Sequence, residues 1–295
     1  MLHGIPLNNY LYGPSLQIPI KQLRNAHGEY KYRWNYLSKA ISIDYFLTTY
    51  ILLFFIGKDH EVPRALEVNE IQEIAQDFVK AAKRAIEAGF DGVELHGANG
   101  LLIDQFLNTS SNKRTDIYGE PIENRTRFAR EVVDAVSAAI GEERTAIRLS
   151  PWSSANGMQD QTPYATWGYL TEQLQTTHPK LAYLHFVEPR DDMIPKSDAE
   201  ERLQLSLDPF RSIWKGPFIS AGGYTTDPKL AKQVADQTGN LIAFGRTYIA
   251  NPDLVQRLKN QWPLTKYNRD LFYTSGPEGY IDYKTYTADA KYVRA

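Results

Sequence analysis

The sequence predicts an α/β fold of the (β/α)8 TIM-barrel type, incomplete, with about five recognisable βα units. Three observations predict it. Helical and strand-like segments alternate from Val68 onward, which is the pattern of parallel βαβ units. The strand-like segments exit near His96, Ser150, Glu188, Ala221 and Gly245, and each exit is rich in polar residues or glycine. In a barrel those exits form the functional face. Finally, no G-x-G-x-x-G follows any candidate strand and no P-loop is present, which disfavours a doubly wound nucleotide-binding sheet.

Each element has its own signal. Ile71, Ile74, Ala75, Phe78, Ala82 and Ala85 recur at helical spacing, with Asn69 as N-cap and Gly89 as the stop. Asp91–His96 reads as a short strand, and Ile122–Ile140 as one helix closed by Gly141. Thr145–Ser150 is strand-like around Arg148, Tyr164–Leu174 is helical, and Leu181–Val187 is the next strand. Pro217–Ser220 leads into Ala221-Gly222-Gly223, Lys229–Gln237 is helical, and Leu241–Phe244 ends in Gly245-Arg246.

A closed barrel needs eight strands. A βαβ unit takes roughly 30 residues or more, so three further β/α pairs need about 90. Met1–Glu67 is shorter than that and shows no alternation. The expected division is an atypical segment, residues 1–62, ahead of a barrel region, residues 63–295. The apolar run Tyr45–Ile56 is too short for a membrane span, which needs ~20 residues, and is expected to be buried.

Composition narrows the function classes. The chain has 295 residues, with 33 Lys+Arg against 35 Asp+Glu. The pI near 6.3 argues against nucleic acid as a partner. Zero cysteines exclude disulfides, thiolate metal sites and a cysteine nucleophile, and no metal site is expected. Met1–Pro14 lacks the basic start and apolar core of a secretory signal, so a cytoplasmic protein without a membrane partner is expected.

The stretch carrying most chemistry runs Gly89-Phe90-Asp91-Gly92-Val93-Glu94-Leu95-His96-Gly97-Ala98-Asn99-Gly100. His96 ends a strand, and Asn99 lies three residues on in a glycine-flanked turn. Together they offer two hydrogen-bond donors suited to an oxyanion or a carbonyl oxygen. The same pair also suits a strand-capping histidine and a turn asparagine.

This stretch, continuing through Asp104-Gln105-Phe106-Leu107 and Asn112-Lys113-Arg114-Thr115-Asp116, resembles the active-site signature of the Old Yellow Enzyme family. The likeness extends through Arg148-Leu149-Ser150-Pro151, Leu184–Arg190, Ser220–Tyr224, Phe244-Gly245-Arg246, Asn251–Leu254 and Gly279–Tyr283. It implies an FMN-dependent NAD(P)H oxidoreductase that passes hydride from reduced flavin to enones, quinones or similar small-molecule acceptors. By position, it implies that His96 and Asn99 bind the substrate's electron-withdrawing oxygen and that Tyr273 lies near the substrate. Arg148 would meet the flavin's N1 edge, where negative charge grows on reduction. Gly222, Gly223, Gly245 and Arg246 would hold the FMN phosphate. His185 is expected to be structural.

Two departures accompany the likeness. Leu101 stands where most alkene reductases of the family have a proton-donating tyrosine. No stretch of Met1–Val62 matches the flavin-contacting motifs of the family's first three strands. The alternative function is therefore a truncated, catalytically impaired barrel remnant that does not retain FMN.

Overall fold

The first helix of the described residues, α1 (Val68–Glu87), forms because Ile71, Ala75, Val79 and Ala82 recur on one face and are buried there. The computed structural model describes residues 64–189, 205–225 and 227–287. The segment 1–62, with its apolar run Tyr45–Ile56, and Arg190 lie outside the described residues. The described residues divide into two compact units after Ala221.

In the first unit, α1 leads to β1 (Val93–Gly97), α2 (Leu102–Leu107), α3 (Ile122–Arg125), α4 (Arg127–Ile140), β2 (Thr145–Leu149), α5 (Pro163–Thr177), β3 (Tyr183–Val187), α6 (Asp208–Ile213) and β4 (Phe218–Ala221). The strands β1, β2, β3 and β4 pair in parallel in that order. The second unit holds α7 (Pro228–Thr238), β5 (Leu241–Ala243), α8 (Arg246–Ala250) and α9 (Leu254–Asn260). Strand and helix alternate as in a (β/α) barrel, with five strands among the described residues.

Side chains alternate across each strand, so residues paired in register share a face. One row is Leu95, Ile147, Leu184 and Phe218, all buried in the apolar core beneath the helices. Phe128, Val132, Trp167, Leu170 and Phe210 meet that row from α4, α5 and α6. The opposite face carries Glu94, His96, Arg148, Tyr183 and His185. The sheet is thus apolar towards its helices and polar on its other side.

The structure departs from the sequence expectation at several boundaries. Glu67, not Asn69, caps α1, and its N–H donates to Glu70 Oε2 at 2.8 Å. The expected helix Ile122–Ile140 is two helices that meet at Thr126, whose hydroxyl donates back to the Ile122 carbonyl at 2.9 Å. Four helices of five to seven residues, α2, α6, α8 and α9, were beyond the pattern because so few residues give no 3.6-residue repeat. Arg125, at the end of α3, is buried and pairs with Asp160 Oδ1 at 2.8 Å while donating to Thr166 Oγ1 on α5 at 3.1 Å. That ion pair fixes the helices outside β1 and β2.

Candidate active site

The polar face of the first unit is built by register. His96 pairs with Arg148, and Arg148 pairs with His185, so the three lie in one row across β1, β2 and β3. Glu94 lies one alternation below His96 on the same face. His185 Nδ1 is 2.8 Å from Glu94 Oε2, and a carboxylate only accepts, so Nδ1 carries the hydrogen. Burial pushes the His185 imidazole down, although Glu94 pulls the other way. For Glu94, burial would raise the carboxyl, but His185 and Arg148 outweigh it and hold the group below its ordinary value. The pair is therefore a neutral imidazole donating to a carboxylate.

His96 is half-buried, and burial together with the Arg148 charge pushes its imidazole down to about 4. At neutral pH it is uncharged and offers one N–H. Arg148 Nε is buried and has no hydrogen-bond partner among the described residues. A guanidinium keeps its proton, so this N–H is a fixed donor suited to an anionic or carbonyl acceptor.

Asn99 follows β1 in a tight turn. Its φ of 58° and the φ of 72° at Gly100 put two consecutive residues in the left-handed region. Asparagine tolerates that conformation, and glycine adopts it at no steric cost. A Cβ on Gly100 would also lie 2.5 Å from the Ala155 carbonyl oxygen. The turn is clamped on several sides. Asn99 N–H donates to Ser150 Oγ at 2.8 Å, and Asn156 Nδ2 donates to the Asn99 carbonyl at 2.8 Å. Gly100 N–H donates to Asp104 Oδ2 at 2.8 Å, and Ser150 Oγ donates to the same oxygen at 3.4 Å. These bonds hold Asn99 by its backbone.

Asp104 is fully buried at the start of α2, and burial pushes its carboxyl up to about 7 against the hydrogen bonds that favour the anion. Sequence reasoning assigned no role to Asp104, Ser150 or Asn156. A charged residue inside Leu102-Ile103-Asp104-Gln105-Phe106-Leu107 was the available signal.

The second unit brings its own predicted residues together. Gly222 and Gly223 have φ of 107° and 75°, a pair of conformations that L side chains rarely adopt. Two residues on, Thr225 Oγ1 accepts from Thr247 Oγ1 at 3.0 Å, and the Tyr224 ring lies 6.3 Å from that of Phe244. Gly245 and Arg246 sit between Phe244 and Thr247, so the two glycine-bearing turns are held side by side. A Cβ at Gly245 would meet nothing within 4 Å, which leaves its backbone open to a ligand. Tyr273 packs edge-on against Phe272 and is 62% exposed, so it is not a core aromatic.

The sequence profile of the NADH:flavin oxidoreductase / NADH oxidase family matches residues 53–265. The chain belongs to this family, that of the Old Yellow Enzymes. Within the Old Yellow Enzyme family it is 46% identical over 228 residues to 12-oxophytodienoate reductase 1 of Oryza sativa subsp. japonica, covering 77% of this chain and 59% of that protein. It is 43% identical over 248 residues to enoate reductase 1 of Kluyveromyces lactis, covering 79% of this chain and 62% of that one. Among solved structures it is similar to morphinone reductase in complex with tetrahydroNAD, at a TM-score of 0.68 and 41% identity, covering 80% of this chain and 61% of that one. The Old Yellow Enzyme homologue from Zymomonas mobilis gives a TM-score of 0.70 at 37% identity, covering 78% and 63%. The chain spans about three-fifths of the length of the curated relatives it matches. Among the described residues, no helix is long and apolar enough to cross a membrane.

Proposed function

We propose that the chain is an FMN-dependent NAD(P)H oxidoreductase of the Old Yellow Enzyme type, acting on small activated alkenes or quinones in the cytoplasm, with residues 63–295 as its flavin-binding region. The observation that carries this reading is the row formed by neutral His96 and Arg148, with the Asn99 turn clamped just beyond it. Names among the relatives point the same way: an oxophytodienoate reductase, an enoate reductase, and a morphinone reductase in complex with tetrahydroNAD.

The residues fit the cofactor. The buried, unpartnered Nε of Arg148 suits the flavin ring edge that gains negative charge. The left-handed Gly222-Gly223 pair suits close backbone approach to a phosphate, and Arg246, beside the open backbone of Gly245, supplies a cation. Bound FMN would accept hydride from NAD(P)H and pass it to the acceptor.

His96 and Asn99 are assigned to the acceptor's carbonyl oxygen. A neutral imidazole N–H and an amide N–H donate there, polarise the conjugated double bond, and stabilise the negative charge that develops on the oxygen. The turn that carries Asn99 is fixed before substrate arrives, so little ordering remains at the moment of reaction. Tyr273, exposed in the second unit, is assigned to the substrate. Leu101 is the extended residue that precedes α2 and has no proton to give, so the second proton of alkene reduction must come from water or another group.

The deciding experiment is titration of the purified chain with FMN, followed by anaerobic addition of NADH or NADPH. Stoichiometric binding, with bleaching of the flavin band near ~450 nm, is expected. A chain that binds no FMN overturns the reading in favour of the barrel remnant.

A further inference from the structure

Glu94 has no part in the chemistry above, yet its side chain is four-fifths buried on the same face as His96 and Arg148. Glu94 pairs with Ala146, one alternation below the His96–Arg148 pair. Diagonal neighbours of this kind on adjacent strands lie within reach of long side chains. The Glu94 carboxylate is also held from the far side, because His185 Nδ1 donates to it at 2.8 Å and the Tyr183 hydroxyl donates as well, both from β3. Among the described residues, the charged and titratable groups around it are therefore His96 on β1, Arg148 on β2, and Tyr183 and His185 on β3.

We propose that Glu94 acts through Arg148 as a positioning residue for charge: it offsets part of the guanidinium's positive field, and so sets how strongly the site favours an anion on the flavin. The flavin consequence rests on the FMN reading above. Arginine cannot shed its proton, so only a neighbouring anion can temper its field. His185 fixes that anion without adding charge, because its burial keeps the ring neutral. With both imidazoles uncharged, the face carries one cation and one anion among the described residues. Removing the anion leaves an uncompensated guanidinium, which stabilises negative charge more strongly.

The test compares the full chain with Glu94→Gln, each loaded with FMN, by spectroelectrochemical titration. The variant is expected to raise the two-electron midpoint potential by about 30 mV or more, a tenfold gain in preference for reduced flavin. An unchanged potential, with folding stability alone reduced, overturns the proposal and leaves the FMN reading intact. If Glu94→Gln does not fold, Glu94→Asp decides. Its shorter carboxylate withdraws from Arg148, a smaller rise is expected, and no rise overturns the proposal. If the native chain binds no FMN, that reading falls and the flavin-free proteins decide by NMR titration of His96. Loss of the Glu94 charge is expected to move the His96 midpoint below its native value of about 4, and an unmoved midpoint overturns the proposal.

Discussion

The backbone N–H of Asn99 donates to the hydroxyl of Ser150 at 2.8 Å, across 51 residues of chain. That bond ties the turn after β1 to the exit of β2 and aims a candidate substrate-binding amide from a fixed base. Ser150→Ala removes the acceptor and leaves a partly buried N–H unsatisfied, which costs about 1–3 kcal/mol. Denaturant unfolding should show this loss. Binding of a phenol-type ligand to the flavin-loaded chain should weaken with it, while FMN affinity is unchanged.

Asp104 makes the same turn sensitive to pH. Its carboxyl titrates near about 7 in the folded chain, against an ordinary value of 3.8. Between roughly pH 4 and 7 the unfolded chain has lost this proton and the folded chain still binds it. Stability from this group therefore falls as pH rises through that window and levels off above it. Asp104→Asn keeps an acceptor for Gly100 N–H and cannot ionise. Thermal melts of the two proteins should diverge from pH 4 to 7, with the variant gaining on the native chain as pH rises.

Arg246→Ala should weaken FMN binding more than Arg148→Ala. The first is assigned to the doubly charged phosphate. The second meets full negative charge only in the reduced flavin. Fluorescence titration with FMN measures both, and equal affinity in the native chain and Arg246→Ala would remove the phosphate assignment.

His96→Ala should leave FMN affinity intact and slow enone reduction by about 10²–10³-fold, the usual effect of losing one preorganised donor. Because the native ring is neutral above about pH 4, the rate should show no His96 titration between pH 5 and 8. A pH–rate profile that follows a histidine midpoint in this range, absent in His96→Ala, would contradict the neutral-donor role.

Leu101→Tyr should speed enone reduction, because a positioned acid contributes about 10²–10⁴-fold. Reduction of the flavin by NAD(P)H and electron transfer to quinones should hardly change, since neither needs an acid at that position. Stopped-flow measurement of the two half-reactions separates these effects. Fast enone reduction by the native chain, unaltered in the variant, would assign the proton to water or another side chain.

The sequence by itself determined the order and type of the long elements, since the hydrophobic repeats of α1 and α4 and the short strands around Leu95, Ile147 and Leu184 are local patterns. It also marked His96, Asn99 and Arg148 as polar residues at or near strand exits, and the glycine-flanked turn at Asn99 was legible; its left-handed backbone was not. Only tertiary structure decided which of these groups meet. The pairing of His96 with Arg148 depends on strand register, and the bond between Glu94 and His185 joins residues 91 apart. Ser150 reads as a strand-end serine and Asp104 as a lone charge in an apolar stretch until packing buries both against the Asn99 turn. A local pattern records which side a residue faces. The partner it meets, and the burial that shifts its pKa, arise only when distant strands come together.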